Sequence, residues 1–400
     1  MKRLLALILS FLMITLTFAS CGKVVDDPAM SDSQNQATQD GTGGGSSNNQ
    51  DSNNSDNSNN NSNNNSNNNS NGDQPSNPSE GDGDNKVDDD DEYKDTRQKV
   101  TFGSYPQSEV TDATLKATLN SKAGTLPTKA KPQKWTSFKH YHKYKENDVD
   151  KAERDFMWYI DIALNGEKYR GVYFTAYRPT YVLRSSTAGT SYQDDNGYMI
   201  STVYWFKYEP ITWTVLDKSS ANGTSLLLCD MIIDSREFDY DSLTSTPTYD
   251  NNYAKSSIRS WLNSTFLNTA FGTEEQAKIL TSAVDNSIAS TGHHVNPNAC
   301  TNTNDKVFLL SYAEVVNDKY GLELSDFRVK KPTAYAKSQG VYVLKNGASE
   351  WWLRSPAPDP LVFDKSNMTV RGVTSTGLVD SYINANYSYR GVVPALRVKL

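Results

Sequence analysis

One tract, from Val24 to about Thr96, limits what this chain can fold into, because it has almost no apolar residues. It contains the runs SNNNSNNNSNNNSNG and VDDDDE, in which asparagine, serine and aspartate stand where a core would need aliphatic or aromatic side chains. Such a segment cannot bury enough apolar surface to offset its chain entropy. We therefore predict a disordered linker over residues 21–97; an aggregation-prone asparagine ladder is the competing interpretation.

The N-terminus has the pattern of a lipoprotein signal. Lys2 and Arg3 precede an apolar run, and small residues lie directly before Cys21. We predict a signal peptide over residues 1–20, with Cys21 as the acylated residue that holds the protein to the bacterial cell envelope after export. A retained transmembrane anchor is the alternative, but it needs about 20 apolar residues and this run is shorter.

The distribution of charge along the chain bears on its possible partners. Residues 22–96 carry 16 acidic residues against three lysines, whereas residues 97–400 are nearly balanced, with 35 Lys and Arg against 31 Asp and Glu. This balance gives no indication of a nucleic-acid partner.

Cys229 lies in an apolar run and Cys300 in a polar loop, so we expect two unpaired thiols, with a single disulfide as the alternative.

The hydrophobic pattern of residues 98–400 predicts an α+β architecture, as one elaborated domain or two closely packed lobes. ITWTVLD from Ile211 alternates like a half-buried strand, and SLLLCDMIID after it completes a hairpin. Four apolar residues at helical spacing predict a helix with one buried stripe, and two capping boxes predict short helices from Thr273 through Leu280 and from Ser311. The residues of the stripe are Ile258, Trp261, Leu262 and Phe266.

We expect these helices to come first and the C-terminal third to be rich in strands. The extended runs there are VYVL, WWLR, LVF, MTVRGV and VVPALRVKL. In SEWWLRSP, neighbouring residues of an extended segment point to opposite faces. Trp351 is therefore predicted to face the core, while Arg354 on the other side lies across Trp352 or pairs with a carboxylate beneath a loop. We assign structural roles to Trp351, Arg354, Trp213 and Trp261.

No catalytic, metal or cofactor site can be recognised in the sequence. The four histidines form two pairs, at His140 and His142 and at His293 and His294, without a cysteine or carboxylate at metal-ligand spacing. Both pairs fit surface loops. The chain instead has 23 tyrosines and 7 tryptophans against 13 phenylalanines. That excess suits a binding face, because each ring adds a polar tip to its apolar area, although half-buried strands use tyrosine as well.

Six blocks in order resemble a bacterial domain family of unknown function common in exported lipoproteins. They are FGSYPQ near Phe102, YWFKYEPITWTVLD, SSIRSWLNSTFLNTAF, DKVFLLSYAE, WWLRSP and the C-terminal GVVPALRVKL. That family is distantly similar to the C-type lectin-like fold of formylglycine-generating enzymes and sulfatase-modifying factors. The resemblance implies that the first and last strands, VTFGSY and PALRVKL, pair with each other.

The same resemblance argues against two activities. Formylglycine-generating enzymes use a cysteine pair near the C-terminal end of the domain, and no cysteine follows Cys300 here. Calcium-dependent lectins carry EPN or QPD with WND, whereas Glu209 and Pro210 are followed by Ile211 and WND is missing. The resemblance implies the fold and neither activity.

We therefore predict a non-catalytic recognition domain for an unidentified glycan, peptide or protein. The alternative is an exported enzyme or a sulfatase-modifying-factor-like accessory protein. In SYINANYSYRG an extended path would put polar residues on one side, and lectin-like domains present ligands from loops before the final strands. The predicted recognition residues are Tyr382, Asn384, Asn386 and Arg390, beside Trp352; an ordinary solvated strand edge is the other interpretation.

Overall fold

The computed structural model covers the C-terminal part of the chain with internal gaps. It describes residues 97–128, 130–138, 141–146, 149–154, 157–175, 196–219, 223–240, 250–358, 368–379 and 381–399. The chain divides into two units, Met1–Lys86 and Val87–Leu400, and all described residues belong to the second. The predicted signal peptide, Cys21, almost all of the predicted linker and the LVF run at 361–363 lie outside the described residues.

Strands run through the whole described region. The first eight are β1 (Lys99–Glu109), β2 (Thr136–Ser137), β3 (Tyr141–Glu146), β4 (Val149–Arg154), β5 (Met157–Leu164), β6 (Glu167–Phe174), β7 (Val203–Ser219) and β8 (Thr224–Cys229). The other ten are β9 (Asp234–Ser235), β10 (Ile279–Leu280), β11 (Ser282–Val284), β12 (Thr303–Asp305), β13 (Val307–Phe308), β14 (Trp351–Pro356), β15 (Thr369–Val373), β16 (Ser381–Asn384), β17 (Gly391–Val392) and β18 (Ala395–Lys399). The α+β class predicted from the sequence agrees with this mixture of strands and short helices.

A nine-stranded sheet is organised around the long strand β7. This strand pairs antiparallel with β1, β6 and β8, and the order across the sheet is β10-β18-β8-β7-β6-β5-β2, with β13 also on β18. The predicted hairpin is confirmed, because ITWTVLD lies within β7 and the apolar run that follows forms β8. Ile211 and Trp213 are buried, as the alternation predicted, but Thr214 is buried as well and Val215 is only half-buried, just before a shift in the β7–β8 register.

The first and last strands of the described domain do not pair with each other. β1 pairs with β7 and β18 pairs with β8, so two strands separate them in the same sheet. The pairing implied by the C-type lectin-like resemblance is therefore wrong. They are separated because the β7–β8 hairpin lies between them in the sheet. β7 pairs with β1, and β8 pairs with β18.

The helices are short and lie mostly in the middle of the chain. They are α1 (Ala113–Ala123), α2 (Ser257–Trp261), α3 (Leu267–Ala270), α4 (Thr273–Lys278), α5 (Tyr312–Val315) and α6 (Ala334–Ser338), with a π-helical turn, Leu262–Phe266, joining α2 to α3. As predicted, α2 to α6 precede the strand-rich C-terminal third, but strands are not concentrated there, since seven described strands precede β8. In the described residues, no helix combines the length and apolar character needed to cross a membrane.

Three of the helix predictions can be compared directly with the structure. The predicted apolar stripe is confirmed, because Ile258, Trp261, Leu262 and Phe266 are all buried. The capping box at Ser311 is confirmed too, with the Glu314 amide donating to Ser311 Oγ at 3.1 Å. The other helix begins at Thr273 but ends at Lys278; Glu275 accepts from the amide of Gly272, and Leu280 lies in β10.

A second sheet contains the WWLRSP motif. Its order is β16-β15-β14-β17-β9, and β14 pairs antiparallel with β15 and parallel with β17. The run VYVL from Val341 forms no strand, and the extended path predicted through Arg390 ends at Asn384, after which the chain turns. The turn is held because the amides of Phe238 and Asp239 both donate to the Ala385 carbonyl, at 2.8 and 3.0 Å.

The interior contains one large apolar cluster and one smaller one. The large cluster includes Trp213, Trp261, Trp351 and Trp352, and the smaller one surrounds Trp205 under α1. Cys229 is buried, Cys300 is half-buried, and both are free thiols, which confirms the prediction of unpaired cysteines. Burial raises the pKa of the Cys229 thiol to about 12, so it is an inert core group at neutral pH.

Candidate binding site around Arg371

Four arginines are almost completely buried in the described domain, and a fifth, Arg328, exposes 9% of its surface. Arg170, Arg354, Arg371 and Arg390 expose 4%, 2%, 2% and 1% of their surface. A guanidinium removed from water is costly unless carboxylates or carbonyls satisfy its N–H groups. The partners of each arginine therefore distinguish a structural residue from a candidate for function.

Arg170 is satisfied by Asp161 on the neighbouring strand. Its Nε and Nη2 donate to the two carboxylate oxygens, each at 2.8 Å, which is the bidentate geometry of a strong pair. Tyr208 also donates to this carboxylate at 2.9 Å, and the Tyr159 ring centre lies 4.4 Å from the guanidinium carbon. Desolvation alone would raise the pKa of Asp161, but the hydrogen bonds and charge of Arg170 outweigh it and lower that pKa.

Arg354 pairs with Glu314, the capping residue of α5. Its Nη1 also donates to the Leu309 carbonyl at 2.6 Å and its Nη2 to the Asp285 carbonyl at 3.1 Å. Of the two sequence predictions for Arg354, pairing with a carboxylate is therefore confirmed. The guanidinium over Trp352 belongs instead to Arg390.

Arg390 forms an ion pair with Glu350, and its guanidinium carbon lies 4.8 Å from the Trp352 ring centre. The absence of a side chain at Gly372 makes room for this packing, since an added Cβ would lie 2.3 Å from Arg390 Nη1. Trp352 itself donates from Nε1 to the Arg236 carbonyl at 2.9 Å. The expectation that Trp352 and Arg390 line an exposed recognition surface is corrected, because both are buried in this packing.

Arg371 differs from the other three because no carboxylate neutralises it among the residues that the structure describes. Its Nη2 lies within hydrogen-bonding distance of His293 Nε2, whereas Nε and Nη1 are buried without a partner. The guanidinium carbon lies 4.1 Å from the Tyr312 ring centre and 5.3 Å from that of Tyr382.

The surrounding elements fix these rings by their local geometry. Tyr312 opens α5, and its amide donates to Ser355 Oγ of β14 at 2.8 Å. Gly292, directly before His293, has φ +73°, and an added Cβ would lie 2.2 Å from Tyr312 Cδ1. Only glycine therefore lets this loop lie against the ring. His293 itself is exposed, as the surface-loop interpretation expected.

The strand register brings two of the predicted recognition residues to the same face as Arg371. Tyr382 is opposite Arg371 and Asn384 is opposite Thr369 in the β15–β16 pair, and both are half-exposed. Asn386 is half-exposed in the turn that follows. A ligand-binding role for these three residues stays a prediction. Trp351, Arg354, Trp213 and Trp261, assigned structural roles, are all buried.

Sequence reasoning missed Arg371, His293 and Tyr312 as a group. Arg371 was part of MTVRGV, treated only as a strand, and His293 lies 78 positions away along the chain. One signal was available, because an arginine flanked by valine and glycine in a buried strand needs a partner. In the described part of the chain, His, Cys, Asp and Glu form no cluster of three or more that could hold a metal ion.

Comparison with known proteins covers the part of the chain that contains this site. No curated protein and no solved structure matches the chain. Residues 222–400 match a family described as a domain of unknown function, DUF6273. The match includes β14, β15, β16 and every residue of the Arg371 cluster. The first two of the six sequence blocks lie before it. The chain therefore carries a DUF6273 domain of unknown function over residues 222–400.

Proposed function

We propose that this chain is an exported, lipid-anchored protein whose C-terminal domain recognises a ligand without catalysing a reaction. The observation that carries the proposal is Arg371, a buried cation for which the described residues supply no carboxylate and no acceptor at Nε or Nη1. Leaving such donors unpaired costs about 1–3 kcal/mol each, and more for a charged group. An external acceptor would remove that cost, and a purely structural arginine would gain nothing from the arrangement.

The other buried arginines support this interpretation by contrast. Arg170, Arg354 and Arg390 each have a carboxylate partner from this chain, at Asp161, Glu314 and Glu350. Arg328, a fifth buried arginine, is instead satisfied by backbone carbonyls, those of Gly377 and Leu322 at 2.6 Å each. Around Arg371 the described residues supply two tyrosine rings and the imidazole of His293 in place of a carboxylate.

The ligand-binding domain would be displayed at the bacterial cell envelope by a lipid on Cys21 and by the linker predicted over residues 21–97. Its partners would be the membrane, through that lipid, and a glycan, peptide or protein at the Arg371 site. The C-type lectin-like fold stays a hypothesis drawn from the sequence blocks. The separation of β1 from β18 in the sheet argues against it.

The recognition function is tested by binding of the full-length chain, purified in mild detergent, to arrays of glycans and peptides. We expect a reproducible set of ligands for the unchanged protein and loss of those signals for Arg371→Gln. Arg397→Gln is the matched control, because Arg397 is partly exposed in β18 and its nearest carboxylate contact is 3.7 Å. Equal array signals for all three proteins would place recognition away from Arg371.

The anchor is tested by Cys21→Ala. Without the thiol no lipid can be attached, and in the proposed arrangement that lipid is what holds the chain to the membrane. We expect the protein to move from the membrane fraction to the soluble fraction of fractionated cells. Membrane retention equal to that of the unchanged protein would contradict the lipoprotein assignment.

A further inference from the structure

The positive charge of residues 97–400 is concentrated between the end of β1 and the start of β3. This stretch, residues 110–140 and called the basic segment below, contains six lysines and one aspartate. The rest of residues 97–400 has 29 Lys and Arg against 30 Asp and Glu, so its charges nearly cancel. A local excess of one sign attracts oppositely charged partners even when the whole domain is nearly neutral.

Four lysines of the basic segment lie in the part of the chain that the structure describes. They are Lys116, Lys122, Lys131 and Lys134. The first is half-exposed and the other three are exposed, and no carboxylate forms an ion pair with any of the four among the described residues. In the neighbouring sheet, by contrast, the ammonium groups of Lys99 and Lys168 lie 2.9 and 3.7 Å from carboxylates. The four lysines are therefore available to an external anion.

The single aspartate of the basic segment has a structural role. Asp112 caps α1, where its Oδ1 accepts from the Leu115 amide at 2.6 Å. Lys122 lies in the last turn of the same helix, at the opposite end from this carboxylate. The acidic residue therefore stabilises the helix N-terminus and does not neutralise the lysines that follow the helix.

The loop after α1 is held in place by its own hydrogen bonds and by packing. Thr128 and Lys131 exchange two backbone hydrogen bonds, of 2.9 and 3.0 Å. Trp135, directly after Lys134, is buried with Leu119 of α1 in the smaller apolar cluster. The exposed lysines of this loop are therefore attached to backbone that packs against the helix.

An exposed apolar residue lies among the lysines. Leu126 is 38% exposed in the loop between Lys122 and Lys131. Lysines together with an exposed leucine are typical of segments at a membrane interface, where ammonium groups contact headgroups and the apolar side chain enters the acyl boundary. Resting on the lipid anchor proposed above, we infer that the basic segment binds the anionic phospholipid headgroups of the membrane that holds the protein.

The expected affinity is that of a contact made by a tethered domain. Each lysine near an anionic bilayer strengthens binding roughly fivefold, so four lysines give a dissociation constant on the order of 1 mM accessible lipid. Dilution reverses so weak a contact, so it would not keep the Cys21→Ala variant in the membrane fraction. In the anchored protein the predicted linker keeps the domain at a high effective concentration near the bilayer, where a weak contact is sufficient.

The test is flotation of vesicles with a chain that carries no lipid. This chain is the Cys21→Ala variant beginning at residue 21, which contains every described residue. Vesicles of phosphatidylglycerol and phosphatidylcholine in equal parts are compared with pure phosphatidylcholine vesicles at millimolar lipid. We expect binding only to the vesicles that contain phosphatidylglycerol, and release at high salt, because salt screens the attraction. No binding to these vesicles at low salt would overturn the inference.

Two triple variants of this chain locate the contact. Replacing Lys122, Lys131 and Lys134 by glutamine should weaken binding about a hundredfold, to the level of pure phosphatidylcholine vesicles. The matched control removes the same charge from exposed lysines outside the basic segment and should bind like the parent chain. The control replaces Lys255, Lys278 and Lys319 by glutamine. Equal losses in both triple variants would mean that net charge alone decides binding, and would overturn the assignment to the basic segment.

A last pair of measurements separates a membrane from a soluble acidic partner. Leu126→Ser should weaken vesicle binding severalfold, because the apolar contact is lost. Polyglutamate is the soluble probe, and we expect it to bind more weakly than the vesicles. Polyglutamate binding as tight as vesicle binding, with no effect of Leu126→Ser, would assign the segment to an acidic polypeptide and overturn the membrane contact. Neither result affects the anchor or the recognition function, which cell fractionation and the arrays test without vesicles.

Discussion

Replacement of Trp351 by alanine is expected to lower the free energy of unfolding by about 3–5 kcal/mol, the usual cost of deleting a large buried aromatic side chain. Trp351 is completely buried in β14, between β15 and β17. Its Nε1 also donates to the Arg328 carbonyl at 3.0 Å, so the alanine variant leaves a cavity and an unpaired acceptor. Urea denaturation followed by tryptophan fluorescence or circular dichroism measures the loss.

Two other variants show which part of that loss comes from the ring. Trp351→Phe keeps most of the apolar volume and removes the donor, so it should cost less than half as much as the alanine change. Val295→Ala is the surface control, because Val295 is 76% exposed, and it should change stability by less than about 0.5 kcal/mol. A loss below about 1 kcal/mol for Trp351→Ala would mean that this ring does not support the core.

The sequence was sufficient wherever a structural signal is local. The strand over ITWTVLD, the apolar run of β8 and the capping box at Ser311 each depend on neighbours a few residues apart, and each was found, although the buried alternation holds only at Ile211 and Trp213. The opposite faces of Trp351 and Trp352 follow in the same way from strand geometry. Their Nε1 groups donate to carbonyls on different segments, those of Arg328 and Arg236.

Predictions failed where distant segments decide the conformation. The run VYVL from Val341 has strand propensity, yet the Tyr342 amide donates to the Tyr389 carbonyl outside any strand. The segment after Asn384 turns because Ala385 is held by the amides of Phe238 and Asp239. No pattern within eight or ten residues contains that information, because tertiary contacts override local propensity.

The candidate site shows the same division. Tyr382 and Asn384 were identified because alternation within one strand puts them on a common face. Arg371 could not be distinguished from Arg354 or Arg390 by sequence, since the three differ only in whether a carboxylate reaches them. Glu314 pairs with Arg354 and Glu350 pairs with Arg390, and each pair is 40 positions apart in the sequence. Arg371 instead contacts His293 and Tyr312, which lie in other segments of the chain.

The second large effect is expected for Asp161→Asn. Asparagine keeps the shape of the side chain but removes the negative charge, which leaves Arg170 buried without a counter-charge. Removing one partner of a buried ion pair typically costs 3–5 kcal/mol, and because the Asp161 side chain is 27% exposed we expect a value near the lower end, about 3 kcal/mol. The free energy of unfolding at pH 7 provides the measurement.

The effect of Asp161→Asn should depend on pH in a defined direction. The pKa of Asp161 is lowered in the folded protein, so the unfolded chain takes up its proton first as the pH falls. The stabilisation from the pair is fully present above the unfolded value, about pH 4, and is lost as the pH falls through the lower folded value. The stability difference between the unchanged protein and the variant should therefore shrink in acid.

Lys168→Ala is the control for this experiment. The Lys168 ammonium lies 3.7 Å from the same carboxylate, but its side chain is 46% exposed, so water screens the interaction. We expect a loss below about 1 kcal/mol for this change. If Asp161→Asn cost no more than Lys168→Ala at pH 7, or if its effect did not change between pH 7 and pH 3, Arg170 would not depend on Asp161 for its charge balance. The contrast between Arg170 and Arg371, on which the binding site was identified, would then lose its basis.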